Sequence, residues 1–139
     1  MAGTPYKLED QVGFIIRKAS QKHAAIFLKH MPDQLTPTQW AALVKIAEMK
    51  SVSQNQLGRE TAMDVATIKG VVDRLIKREF VTTRADPDDS RKNLIEITKT
   101  GKAFIKMSLP KATIITEETL KKLTTGERQI LAELLRKLT

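Results

Sequence analysis

The chain has 139 residues, 41% of them apolar, and no cysteine; it is long enough for one domain with a real core and excludes disulfides, thiol nucleophiles and thiolate metal sites. Its formal charge of +8 favours polyanionic partners, either nucleic acid or an anionic membrane surface. No apolar run approaches the ~18 residues of a membrane span, Met1-Ala2-Gly3-Thr4-Pro5 lacks the layout of a signal peptide, and a cysteine-free chain fits a reducing, cytoplasmic setting.

From Leu8 to His30 the apolar residues recur at three- and four-residue steps (Leu8, Val12, Ile15, Ile16, Ala19, His23, Ile26, Phe27), which predicts one long amphipathic helix ended by Pro32-Asp33. Thr36-Pro37-Thr38-Gln39 is a helix start: a Thr cap, Pro at the first helical position and Gln three residues after the cap. Trp40, Leu43, Val44, Ile46 and Ala47 follow on that helix. Ser53-Gln54-Asn55-Gln56 predicts a second capping box and a short helix to about Glu60. After the tight connection Thr61-Ala62-Met63, Asp64 caps a third helix with Val65, Ile68, Val72, Leu75 and Ile76 expected on its buried face. Two helices joined by so short a turn form a helix-turn-helix.

Phe80 to Arg84 is β-prone, Asp86-Pro87-Asp88-Asp89-Ser90 is turn chemistry, and Asn93 to Ile97 alternates, so a β-hairpin with a polar tip is predicted. Thr98 caps a long helix from about Gly101 to Lys122, which Pro110 is expected to kink or break. Thr124-Thr125-Gly126-Glu127 fits another capping box, and the last helix carries Ile130, Leu131, Leu134, Leu135 and Leu138. The fold class is therefore mainly α with a small β-hairpin wing: a winged helix-turn-helix over residues 35–98, flanked by an N-terminal helix in 1–34 and C-terminal helices in 99–139. The flanking helices are too long and too apolar on one side to be tails. A second copy of the chain is the simplest partner surface, making this a homodimerisation region.

Bulk charge does not locate the polyanion. Residues 59–98 carry 8 Lys/Arg against 8 Asp/Glu, whereas residues 99–139 carry 9 against 4. The argument rests on where cations sit. With the third helix buried through its apolar positions, Ala66, Thr67, Lys69, Gly70, Asp73, Arg74 and Lys77 occupy the open faces behind the Asp64 cap. Short side chains allow close approach to base edges, and Lys69 and Arg74 reach guanine O6/N7 or phosphate. Ser53, Gln54 and Asn55 open the preceding helix where a phosphate would be received. At the hairpin, Arg84, Arg91 and Lys92 flank the turn, with Arg91 placed to probe a minor groove and Asp89 expected to pair with it and hold the turn.

Ser53-Gln54-Asn55-Gln56-Leu57-Gly58, Met63 to Ile68, Val72-Asp73-Arg74-Leu75, Asp86 to Arg91 and Ile97-Thr98-Lys99-Thr100-Gly101 together resemble the MarR (multiple antibiotic resistance regulator) family over nearly the whole chain. The resemblance implies a dimeric winged-helix regulator, usually a repressor, whose terminal helices build the dimer and whose hold on double-stranded DNA is loosened by a small ligand. Ser90 departs from the pattern, standing where many members carry a second arginine; Lys92 is the nearest substitute. The family's effector pocket commonly lies between the first, second and fifth helices, which here directs attention to Arg17, Ser20, Gln21, His23, Phe27, Trp40 and Lys45. A ring stacks on Trp40 or Phe27, and a carboxylate pairs with Arg17 or His23. The helix-turn-helix wording is similar to the branch controlling aromatic-acid catabolism, so the expected effector is a hydroxylated or carboxylated aromatic or its coenzyme A thioester.

An enzyme is not indicated. No phosphate-binding glycine loop, nucleophile elbow or zinc-protease motif is present, and His23 and His30, seven residues apart, have no partner at metal spacing. No cofactor, metal or membrane partner is implied. The competing reading from another class is a winged-helix scaffold that binds protein; an apolar or acidic face on the third helix would mark it.

Overall fold

The computed structural model describes residues 3–139; Met1 and Ala2, part of the opening stretch inspected for a leader and of segment 1–34, lie outside the described residues. In chain order the elements are α1 (Val12–His30), α2 (Pro37–Met49), β1 (Ser51–Ser53), α3 (Gln54–Glu60), α4 (Val65–Lys77), β2 (Val81–Asp86), β3 (Asp89–Ile97), α5 (Lys99–Thr119) and α6 (Thr125–Lys137), with 3-10 turns at Leu8–Asp10 and Pro32–Gln34. The chain forms two compact units: a winged unit, Met31–Pro110, and a helical unit made of residues up to His30 with Lys111–Thr139.

The core of the winged unit is built from α2, α3, α4 and one face of the sheet. Leu35, Leu43, Ile46, Leu57 and Leu75 are fully buried, and Val52, Ile68 and Ile95 nearly so; each such side chain contributes ~1.5–3 kcal/mol relative to exposure. The capping box at α2 forms as the spacing dictates, Thr36 Oγ1 accepting the Gln39 N–H at 3.2 Å and Gln39 Oε1 accepting the Thr36 N–H at 3.3 Å. At α3 the cap is one-way: Ser53 Oγ accepts the Gln56 N–H at 3.3 Å, where a reciprocal box is predicted. A strand missed in the sequence, β1, pairs antiparallel with β3, giving the order β1-β3-β2. Three residues between two helices carry no readable period; only pairing with Leu94, Ile95 and Glu96 makes them a strand.

Two glycines set how closely the pieces approach. A Cβ on Gly58 would lie 3.1 Å from the Met63 carbonyl oxygen and 3.3 Å from Ile68, so the glycine lets the two helices of the helix-turn-helix meet. A Cβ on Gly101 would lie 2.2 Å from the Phe80 carbonyl oxygen. Thr98 explains why α5 starts there: its Oγ1 accepts the Gly101 N–H at 3.0 Å while donating back to the Glu79 carbonyl at 2.6 Å. Just inside, Phe104 stacks on Phe80 with centroids 4.6 Å apart.

Several sequence expectations are corrected. Val65 is 71% exposed and Ile76 39% exposed; Val71, not Val65, completes the buried stripe with Ile68, Val72 and Leu75. The cause is position, because Val65 is the first helical residue after the cap and overhangs the end of the packed surface. The first helix begins at Val12 rather than Leu8, which lies in a separate 3-10 turn. α5 starts at Lys99 and ends at Thr119, and it runs through Pro110 as one element rather than breaking. The hairpin tip is shorter than predicted, with Asp86 paired to Asp89 and only Pro87 and Asp88 between them.

In the helical unit, Ile26, Phe27 and Ile115 are buried. His23 Nδ1 meets Thr119 Oγ1 at 2.8 Å, and His30 Nε2 hydrogen-bonds Glu118, which Lys29 also approaches at 3.8 Å. The His30 contact is the largest cause holding the Glu118 carboxyl below its ordinary range. The capping box at α6 forms, with Thr124 Oγ1 and Glu127 exchanging bonds of 3.2 and 2.9 Å.

Candidate nucleic-acid interface

α4 is amphipathic in the sense a reading helix requires. Ile68, Val71, Val72 and Leu75 anchor it, while Ala66, Thr67, Lys69, Asp73, Arg74 and Lys77 are exposed and Gly70 is half-buried. Its start is fixed by Asp64, whose Oδ1 accepts the Thr67 N–H at 2.7 Å. That bond is the main reason the Asp64 carboxyl sits below its usual range, and it keeps a full negative charge at the cap. Lys69 Nζ lies 3.1 Å from Asp73 one turn on, so part of its charge is already engaged. Arg74 and Lys77 form no ion pair among the described residues.

The hairpin places the second group of cations. Asp89 Oδ1 accepts the Arg91 N–H at 3.0 Å and its Nε–H at 3.2 Å. These bonds, side chain first, hold the Asp89 carboxyl below its usual range. The expected Asp89–Arg91 pairing is thus present at the tip, while the Arg91 side chain stays 89% exposed. Arg84 is directed elsewhere: its Nε donates to Glu96 Oε1 across the β2–β3 pair at 2.6 Å. Lys92 is exposed and adjacent to Arg91.

Between α3 and the wing lies an open groove of about 370 Å³ lined by Ser53, Gln54, Asn55, Arg59, Arg91, Lys92 and Asn93. It gathers three cations and no carboxylate, which suits a phosphate backbone. Arg59 and Asn93 are absent from the sequence-level site. Arg59 had a legible signal, since it follows Asn55 by four residues and so shares its helical face. Asn93 had none, because its place depends on the register of β3.

The residues considered for an effector fall into both units. Arg17, Ser20 and Gln21 are exposed on α1, His23 is half-buried against Thr119, and Phe27 is buried in the helical unit. Trp40 is half-buried on α2 of the winged unit. Lys45, on the same helix, is bonded to Glu48 at 2.9 Å, which raises its pKa above the ordinary lysine value.

A helix-turn-helix with a cationic wing is the architecture of a DNA-binding transcriptional regulator rather than an enzyme, and known proteins sharpen the class. Residues 35–92 match the MarR family. The Pseudomonas putida transcriptional repressor NicR is 42% identical over 97% of this chain and 86% of its own. The crystal structure of a probable transcriptional regulator from Pseudomonas aeruginosa is 47% identical, with a TM-score of 0.93 over 96% of this chain and 100% of that one. The structure of Bordetella bronchiseptica BpsR, whose DNA binding is regulated by 6-hydroxynicotinic acid, is 36% identical with a TM-score of 0.92 over 97% of both chains. The chain belongs to the MarR family of winged-helix transcriptional regulators. Among the described residues no helix is long and apolar enough to cross a membrane.

Proposed function

We propose that this protein is a cytoplasmic homodimeric repressor that binds a pseudo-palindromic operator and releases it on binding a small hydroxylated aromatic acid. The observation that carries the DNA half is the division of α4 into an anchored apolar face and an exposed polar face, beside a groove lined by three cations and no carboxylate. Two copies would set their α4 helices in successive major grooves about 34 Å apart. Phosphates meet Ser53, Gln54, Asn55, Lys92 and Arg59; Thr67, Lys69 and Arg74 read bases; Arg91 enters the flanking minor groove.

The dimer is supported by apolar side chains left in water on the helical unit. Val12, Ile15 and Ile16 on α1 and Ile130, Leu134 and Leu135 on α6 are each at least 43% exposed. Such a concentration marks an association surface. The effector class is supported by BpsR, whose DNA binding is regulated by 6-hydroxynicotinic acid, and by a cation, an imidazole and an aromatic ring (Arg17, His23, Phe27) within eleven residues of α1. Effector coupling of this kind typically changes operator affinity about 5–150-fold.

Titration calorimetry with hydroxylated pyridine- and benzene-carboxylates and their coenzyme A thioesters, paired with gel shifts on genomic fragments at two salt concentrations, tests the proposal. The expected result is salt-steep DNA binding that one of these acids weakens. Salt-steep binding untouched by every compound removes the effector role; no shifted band at either salt removes the repressor and leaves a protein-binding scaffold.

A further inference from the structure

We infer that Val65 is a base-reading residue whose side chain packs against the 5-methyl group of a thymine in each operator half-site. The inference rests on the DNA-binding reading above and adds to it a specificity determinant. A β-branched apolar residue at the core-facing edge of α4 belongs in the interior by sequence pattern, yet 71% of Val65 is in water. A solitary exposed valine is ordinary on a protein surface; what distinguishes this one is its surroundings. It is the first helical residue of α4, directly before Ala66 and Thr67, both short and both exposed, while the long side chain one turn on, Lys69, is engaged by Asp73.

Its surface is also continuous with the cationic groove. Val65 lines an open hollow of about 470 Å³ with Asn55, Gly58, Arg59, Ala62, Met63, Asp64 and Ile68. Asn55 and Arg59 line this hollow and the groove of Arg91 and Lys92 alike. One strip of surface therefore runs from the wing, across Arg59, to Val65. A phosphate held at Arg59 brings the adjoining bases toward the start of α4. There the side chains offer a carboxylate already committed to the Thr67 N–H and an isopropyl group. The carboxylate is spent on the cap, so the available chemistry is apolar. In a major groove the one apolar feature among the base edges is the thymine methyl.

The test uses the full-length protein. Sites are selected from random duplex DNA, and each thymine of the selected site is replaced singly by deoxyuridine, which removes only the methyl. Wild-type protein is expected to lose about fourfold in affinity at one position per half-site, the value of one buried methyl group. Val65→Ala is expected to bind the thymine and uracil duplexes equally at that position, and Val65→Thr, keeping one methyl, to fall between. Both variants should unfold at the wild-type urea midpoint, as an exposed site predicts. Equal losses in wild type and Val65→Ala at every position, or a wild type indifferent to all replacements, overturn the Val65 assignment while the selected site keeps the DNA-binding reading intact. If no site is selected and no salt-dependent binding exists, both fall together.

Discussion

The winged unit and the helical unit handle their apolar residues in opposite ways. In the winged unit Leu43, Ile46, Leu57, Ile68, Leu75 and Ile95 are each at most 2% exposed, whereas Ile130 and Leu134 on α6 and Leu138 at its C-cap are all more than half exposed. The charge is less evenly split, since residues 31–110 carry 13 cations against 10 anions and the rest of the chain 11 against 6. A unit that completes its core within one chain is free to turn its polar face to a ligand such as DNA. A unit whose hydrophobic stripes remain in water is the one that the proposed pairing of two copies would cover.

The sharpest way to break this contrast is Leu134→Asp, which puts a charge into the proposed two-fold contact. We expect a monomer by sedimentation equilibrium and operator affinity lowered about 10²–10⁴-fold, because two tethered reading heads become one. A variant that stays dimeric would show that α6 faces water for another reason. Gly101→Ala probes the other unit. A methyl placed 2.2 Å from the Phe80 carbonyl oxygen forces the start of α5 away from the sheet, so urea unfolding should show a loss of ~1–3 kcal/mol with no change in subunit mass.

Arg91→Ala should leave assembly unchanged and stability nearly so, since its side chain is 89% exposed and Asp89 keeps its bond to the backbone N–H of residue 91. It is expected to weaken operator binding several-fold and to make the slope of log affinity against log salt shallower by about 1. An unchanged slope would take the wing out of the interface.

The smallest effects are those of pH. Asp64 and Asp89 in the winged unit and Glu118 and Glu127 in the helical unit all have carboxyls held below their ordinary values by hydrogen bonds to Thr67, Arg91, His30 and Thr124. A lowered folded-state value means the stabilisation is complete above the ordinary carboxylate range and disappears as pH falls through the lowered value. Stability followed by circular dichroism should therefore drop on acidification in both units. Glu118→Gln should flatten the acid limb only for signals from the helical unit, and flattening of the winged-unit signals would refute the assignment.

Much of the fold was legible because it is written in local chemistry. The caps Thr36, Ser53, Asp64, Thr98 and Thr124 each begin the helix that the sequence assigns to them, and the hairpin lies where turn residues interrupt alternating strands. The tip was overextended because Asp86 and Asp89 read as loop residues, though each holds a backbone N–H two residues on and so belongs to the ladder's end. The candidate site was half legible. The cations of α4 and the wing were visible in sequence, but Arg59 and Asn93 join them only through the groove between α3 and β3.

By itself the sequence determined which segments are helical, which residues cap α2, α3, α4 and α6, and which face of α4 carries charge, since caps and period act over four or five residues. The tertiary structure alone decided that Ser51–Ser53 is a strand, that Val65 stands in solvent while Val71 is buried, and that Arg84 is tied across the hairpin to Glu96. Each of these depends on a partner distant in the chain, and a pattern of residue types carries no information about which distant surface ends before, or extends beneath, a given side chain.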